Sequence, residues 1–95
     1  MMDRESLRST LADLLDQEMG QPFDLSDDAM DLRTGLGLDS VDVVGLVMRV
    51  ERRFRIRLGM EELLEVRTVG DMLNLIVDRL AAHGAGSDDS ESAAA

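Results

Sequence analysis

Apolar residues recur three and four positions apart in separate stretches of this chain, and no segment alternates apolar with polar residues as a half-buried strand would. Spacing of that kind matches the 3.6-residue turn of a helix and excludes a sheet-based core. Leu7, Leu11, Leu14 and Leu15 line one face of a first helix, which runs from Asp3, a good N-cap, to Met19, where Gly20 and Pro22 mark a stop. A second helix opens at Asp39-Ser40 and ends near Phe54 or Arg55. Asp39 is its N-cap, and Asp42 three residues on makes a capping box with Asp in place of Glu. Met60–Val66 forms a short third helix with Leu63, Leu64 and Val66 as its apolar residues. A fourth opens at Thr68, with Asp71 at its third position, and buries Val69, Met72, Leu73, Ile76, Val77 and Leu80 before the stop signals His83 and Gly84. The predicted class is all-α: a four-helix bundle of three main helices, a short third helix and a long first loop.

That loop, Gln21 to Leu38, is unusually long for a compact domain, and such loops are often functional. Phe23, Leu25, Met30, Leu32 and Leu36 are the residues expected to pin it to the core. Its acidic cluster, Asp24, Asp27, Asp28 and Asp31, fails the spacing of a calcium loop and reads as solvated charge. Ninety-five residues suffice for one small domain, expected over 1–83. The remainder, 84–95 (GAGSDDSESAAA), has no large apolar residue to offset the entropy of ordering and is expected to be a disordered acidic tail.

Composition removes whole classes of function. Twenty acidic residues against ten basic ones give a net charge of −10, which repels nucleic-acid backbones and anionic lipid. The absence of Cys excludes a disulfide framework, a thiolate nucleophile and a thiolate metal site. Every basic residue is Arg, so no lysine can form a Schiff base, and His83 is the sole histidine, read as a helix C-terminal residue rather than a ligand. No metal site and no self-contained catalytic set can be assembled from this inventory. The N-terminus lacks the pattern of a signal peptide, and no run approaches the ~18 apolar residues of a membrane span. The cytoplasm is the expected address.

On the second helix Val43, Leu46, Val47, Val50 and Phe54 fall within an arc of about 100° and form the core face. Val41, Val44 and Met48 fall elsewhere, at i, i+3 and i+7. Two readings are open for them: scattered surface apolar residues, or a second stripe that meets a partner.

Ser40 stands where a glycine-containing loop (Leu36-Gly37-Leu38-Asp39) meets the first turn of this helix. Unpaired backbone N–H groups and the positive helix end make that position tolerant of an attached phosphate. A plain capping serine is the other reading. With no His or Lys beside it, Ser40 cannot activate itself, so any reaction needs a base from another enzyme.

The run Leu36-Gly37-Leu38-Asp39-Ser40-Val41-Asp42-Val43-Val44, continuing through Leu46-Val47-Met48 and Glu51 to Phe54, resembles the acyl carrier protein signature around the phosphopantetheine-attachment serine. Ile56–Leu58 and then Arg67-Thr68-Val69-Gly70-Asp71 resemble the family's approach to its last helix, so the resemblance spans about residues 5–82. It implies a covalent 4′-phosphopantetheine cofactor, moved from coenzyme A to the Ser40 hydroxyl by a separate phosphopantetheinyl transferase that holds Mg²⁺ in its own active site. It implies a carrier that catalyses nothing and is expected to be a monomer. Its partners would be that transferase, an acyl-loading enzyme (acyltransferase or acyl ligase) and a ketosynthase or condensing enzyme, with no nucleic acid and no membrane span. Val41, Val44 and Met48, rimmed by Asp39 and Asp42, become a partner-docking face, together with Gly45, Arg49 and Arg52. Val47, Leu63 and Val66 are either acyl-chain lining or ordinary core.

The chain also departs from the family. Fatty-acid carriers have an acidic second helix with Glu where this chain has Gly45, and here that helix carries Arg49, Arg52 and Arg53, followed by Arg55 and Arg57. Such a surface suits a dedicated partner set in polyketide, lipopeptide or other specialised biosynthesis. The alternatives are a carrier of primary fatty-acid synthesis, a peptidyl or aryl carrier, against which Asp39 before Ser40 counts, and a helical adaptor without a prosthetic group that uses the second stripe as a groove binder.

Overall fold

The computed structural model describes residues 3–94, with side chains to Ala82. Four helices follow one another: α1 (Arg4–Met19), α2 (Ser40–Phe54), α3 (Met60–Leu63) and α4 (Val69–Ala94). The start signals act as read. Asp3 caps α1 by accepting from the Ser6 N–H at 2.7 Å, and Gly20 closes it in the left-handed conformation (φ 78°). Thr68 Oγ1 accepts from the Asp71 N–H at 3.1 Å, while Asp71 Oδ2 accepts from the Arg67 and Thr68 N–H groups at 3.0 and 3.2 Å. These bonds hold the Asp71 carboxyl below its usual range, the Arg67 N–H being the larger cause.

Two helix boundaries differ in detail. α3 stops at Leu63 rather than Val66, because Glu65 and Val66 donate three residues back, to Glu62 and Leu63, in tight turns. The chain there must extend, since the Leu32 N–H donates to the Arg67 carbonyl at 2.8 Å and the Val69 N–H to the Met30 carbonyl at 2.9 Å. Asp31 and Thr68 thereby form an isolated antiparallel bridge between the long loop and the α3–α4 turn. α4 continues past His83 and Gly84. A glycine inside a helix costs only about 1 kcal/mol, and the alanines around it are the strongest helix formers. The His83 side chain lies outside the residues whose side chains are described, and α4 takes in residues 84–94 of the segment expected to be disordered.

The core is aliphatic. Leu7, Leu11, Leu14 and Leu15 of α1 meet Leu46, Val47 and Val50 of α2 and Val69, Met72, Leu73 and Ile76 of α4. Loops contribute Leu25, Leu32, Leu38, Ile56 and Leu58, all buried, with Phe23, Met30 and Leu36 packed against them as expected. Val77 is a correction: it is exposed, because it sits at the flank of the α4 stripe one residue beyond Ile76. Val43, expected in the core, is only partly buried at its edge.

The acidic loop cluster is also corrected, from solvated charge to structural fastening. Asp28 takes ion pairs from Arg4 and Arg8, and Arg8 also donates to the Leu25 carbonyl at 2.9 Å. Asp24 and Asp27 each accept from a backbone N–H two residues on, at 2.9 Å. Among the described residues no group of three potential metal ligands comes together.

Candidate functional site

Ser40 is the first residue of α2 and is exposed. Its backbone is fixed from both sides. Asp39 is extended (φ −96°, ψ −176°), its Oδ1 accepts from the Asp42 N–H at 2.9 Å, and Asp42 Oδ2 accepts from the Asp39 N–H at 3.1 Å. This is the reciprocal capping box that the sequence predicts. Upstream, Leu38 is buried and its N–H donates to the Leu32 carbonyl at 3.1 Å. Gly37 supplies the positive φ of 78° at which a side chain would be strained.

Asp31 organises the same turn. Its Oδ1 accepts from Arg33 and Thr34 N–H groups at 2.8 and 2.9 Å, and its carbonyl accepts from Gly35 and Leu36 at 2.9 and 3.0 Å. The Thr34 N–H first, and then that of Arg33, holds the Asp31 carboxyl below the usual range. Ser40 thus rides on a turn held by backbone hydrogen bonds, with Leu32 and Leu38 buried beneath it.

Among the described residues no hydrogen bond occupies the Ser40 hydroxyl. The two neighbouring carboxylates, Asp39 and Asp42, are committed to backbone N–H groups and are not placed as a base. The hydroxyl is therefore presented but not activated. The N–H groups that open α2 and its dipole favour a negatively charged group beside it.

Below Ser40 three apolar side chains outside the core face of α2 are exposed. Val41, Val44 and Met48 are 76%, 46% and 49% exposed, side by side on the outer face of α2. Gly45 and Arg49 lie against Glu18 of α1. The Glu18 carboxylate lies where a side chain on residue 45 would stand, and Arg49 Nε donates to Glu18 Oε1 at 2.7 Å. Both residues serve the α1–α2 contact. Arg52 is exposed further along α2.

A cleft of about 370 Å³ opens between the long loop, α2 and α3, lined by Leu32, Val43, Leu63, Leu64, Val66 and Arg67 among others. Of the three residues named for such a lining, Leu63 and Val66 are there, whereas Val47 belongs to the core. Val43 and Leu64 were missed.

Comparison with known proteins bears on this arrangement. A family model described as the phosphopantetheine attachment site matches residues 5–76. The chain belongs to the acyl carrier protein family. An acyl carrier protein of Saccharopolyspora erythraea is 32% identical over 80 residues, covering 84% of each chain. An anthracycline acyl carrier protein of Streptomyces peucetius is 38% identical over 74 residues, covering 76% of this chain and 88% of the other. The crystal structure of the Thermotoga maritima acyl carrier protein superposes with a TM-score of 0.77 at 29% identity, covering 83% of this chain and 92% of that one. The solution structure of a holo acyl carrier protein from Geobacter metallireducens shares the fold at 19% identity, TM-score 0.71, over 81% and 88% of the two chains.

The cofactor of an acyl carrier protein is 4′-phosphopantetheine, and the residues present fit it. An exposed residue at a helix start, beside N–H groups that favour negative charge, suits a phosphate linkage. Among the described residues no helix is long and apolar enough to cross a membrane.

Proposed function

We propose that Ser40 is the attachment residue and that this chain delivers acyl groups, as thioesters, to partner synthase enzymes. When attached, the pantetheine arm supplies the thiol that this cysteine-free chain lacks. The chain's own residues do the rest. Asp39 and Asp42 lock the first turn of α2, and Ser40 offers its oxygen to the pantetheine-side phosphorus of coenzyme A, whose pyrophosphate bond breaks to release adenosine 3′,5′-bisphosphate, while the Ser40 proton leaves to a base on the phosphopantetheinyl transferase. Val41, Val44 and Met48, rimmed by Asp39 and Asp42, give each visiting enzyme an apolar contact. Tethering turns delivery into an intracomplex step, so the carrier contributes effective concentration and no catalytic group.

The observation that carries this reading is the exposed, unbonded Ser40 hydroxyl within the matched span. The unit doing this work is residues 1–83, acting as a cytoplasmic monomer, with 84–95 outside it. Its partners are the transferase, an acyltransferase or acyl ligase that loads it, and a ketosynthase or condensing enzyme. Similarity to the anthracycline carrier and the arginines of α2 favour polyketide or other specialised biosynthesis over primary fatty-acid synthesis.

The test is intact mass after incubation with coenzyme A and a promiscuous transferase. A gain of one phosphopantetheine that disappears in Ser40→Ala is the expected result. No gain in the parent chain overturns the reading and leaves a helical adaptor.

A further inference from the structure

At the far end of α2 from Ser40 lies a second concavity, a groove of about 660 Å³ bounded by Met48, Arg52, Arg55, Arg57 and Gly59. Its charge runs against that of the molecule. The chain carries −10 overall, yet residues 46–67 hold six arginines and four acids. Two of those six are engaged nearby: Arg49 pairs with Glu18, and Arg53 lies over the Phe54 ring at 5.5 Å. Arg52, Arg55 and Arg57 have no carboxylate partner among the described residues. Glu51 also lines the groove, with its Oε2 held by the Leu58 N–H at 2.8 Å, so three arginines face a single carboxylate there.

The geometry points to this groove as the binding place of a short acidic segment of a partner protein, one whose carboxylates alternate with apolar residues. Three unpaired guanidinium groups match carboxylates in bidentate geometry. Met48, half-exposed, gives the segment an apolar foothold and joins the groove to the Val41–Val44 stripe, so one partner can lie across both. A long polyanion or an anionic bilayer meets the acidic remainder of the surface and is repelled, whereas a short segment stays within a screening length of the arginines. The groove does not depend on modification of Ser40.

The test uses the full chain and a synthetic peptide of alternating Glu and Leu pairs, with a Gln-for-Glu peptide as its control, titrated by NMR. The Glu peptide is expected to shift the signals of Arg52, Arg55 and Arg57, to weaken with added salt, and to bind Ser40→Ala as well as the parent chain. Arg52→Gln/Arg55→Asn/Arg57→Gln, checked for folding by circular dichroism, should weaken binding about tenfold or more. Asn is chosen at 55 because the position has positive φ. Equal binding of the Gln peptide, an unchanged affinity in the triple variant, or no binding to the parent chain overturns the proposal. So does tighter binding by a DNA oligonucleotide or by phosphatidylserine vesicles. Binding that appears only after Asp88→Asn/Asp89→Asn/Glu91→Gln makes the chain's own tail the occupant, and overturns it too.

Discussion

The Glu18 carboxylate of α1 rests against the bare Cα of Gly45 on α2, in space that any side chain at position 45 would have to share. Arg49, one turn on, clasps the same carboxylate at 2.7 Å, and its Nη1 donates to Gln17 Oε1 at 3.3 Å. A glycine that looks like a flat docking spot is thus a seat for a neighbouring helix. Gly45→Ala sets a helix gain of about 0.5–1 kcal/mol against displacement of Glu18. In the parent chain the two should nearly cancel; in Glu18→Ala the full gain should appear. Urea melts of the four chains of this double-mutant cycle should give a coupling of about 0.5–1 kcal/mol, the helix gain that Glu18 masks in the parent chain.

The Asp39 cap should count for both stability and modification. Asp39→Ala removes the acceptor of the Asp42 N–H and is expected to lose about 1 kcal/mol in thermal or urea unfolding. Asp39→Asn keeps an acceptor oxygen and should retain most of it. Transferase kcat/KM should fall in the alanine variant, whose first turn frays around Ser40.

Arg55 caps α2 with φ 58°, a conformation that a residue with a Cβ resists. Arg55→Gly should raise stability by about 0.5–1 kcal/mol at pH 7, read from the urea midpoint at unchanged slope.

Acid should unfold the chain through its fastened loop. Asp28 is held below the usual range by hydrogen bonds from Arg4 and then Arg8, and Asp31 and Asp71 by backbone N–H groups. A lowered folded pKa means that the unfolded chain binds more protons. The contribution is then whole above about 3.9, the unfolded carboxyl value, and is lost as pH falls through the lowered folded values. The urea midpoint should be flat from pH 7 to about 5 and drop below about 4, less steeply in Asp28→Asn.

The outer stripe should separate function from stability. Val44→Asp, at an exposed position, should move the unfolding free energy by no more than about 0.5 kcal/mol while lowering transferase kcat/KM. Val50→Ala, at a fully buried one, should destabilise by about 1–3 kcal/mol and leave the modified mass unchanged.

Chemistry local in the chain could be read directly. Asp3, Gly20, the Asp39–Asp42 box and the Thr68–Asp71 box each act within three or four residues, so residue type and spacing decide them. The leucine periodicity fixed which faces of α1 and α2 turn inward, and it left Val41, Val44 and Met48 outside. Contacts between residues far apart carry no such mark. Nothing near Asp28 announces that Arg4 and Arg8 will reach it, and nothing near Val66 says that the next residues must extend to pair with Met30 and Leu32.

What the chain order alone determined is the set of helices, their caps and an offered serine at the head of one of them, because those depend on bonds closed within a turn. Where Glu18 settles, which arginines stay unpaired and how the long loop is tied down were decided only when the helices packed, because they depend on which surfaces the shared aliphatic core brings together.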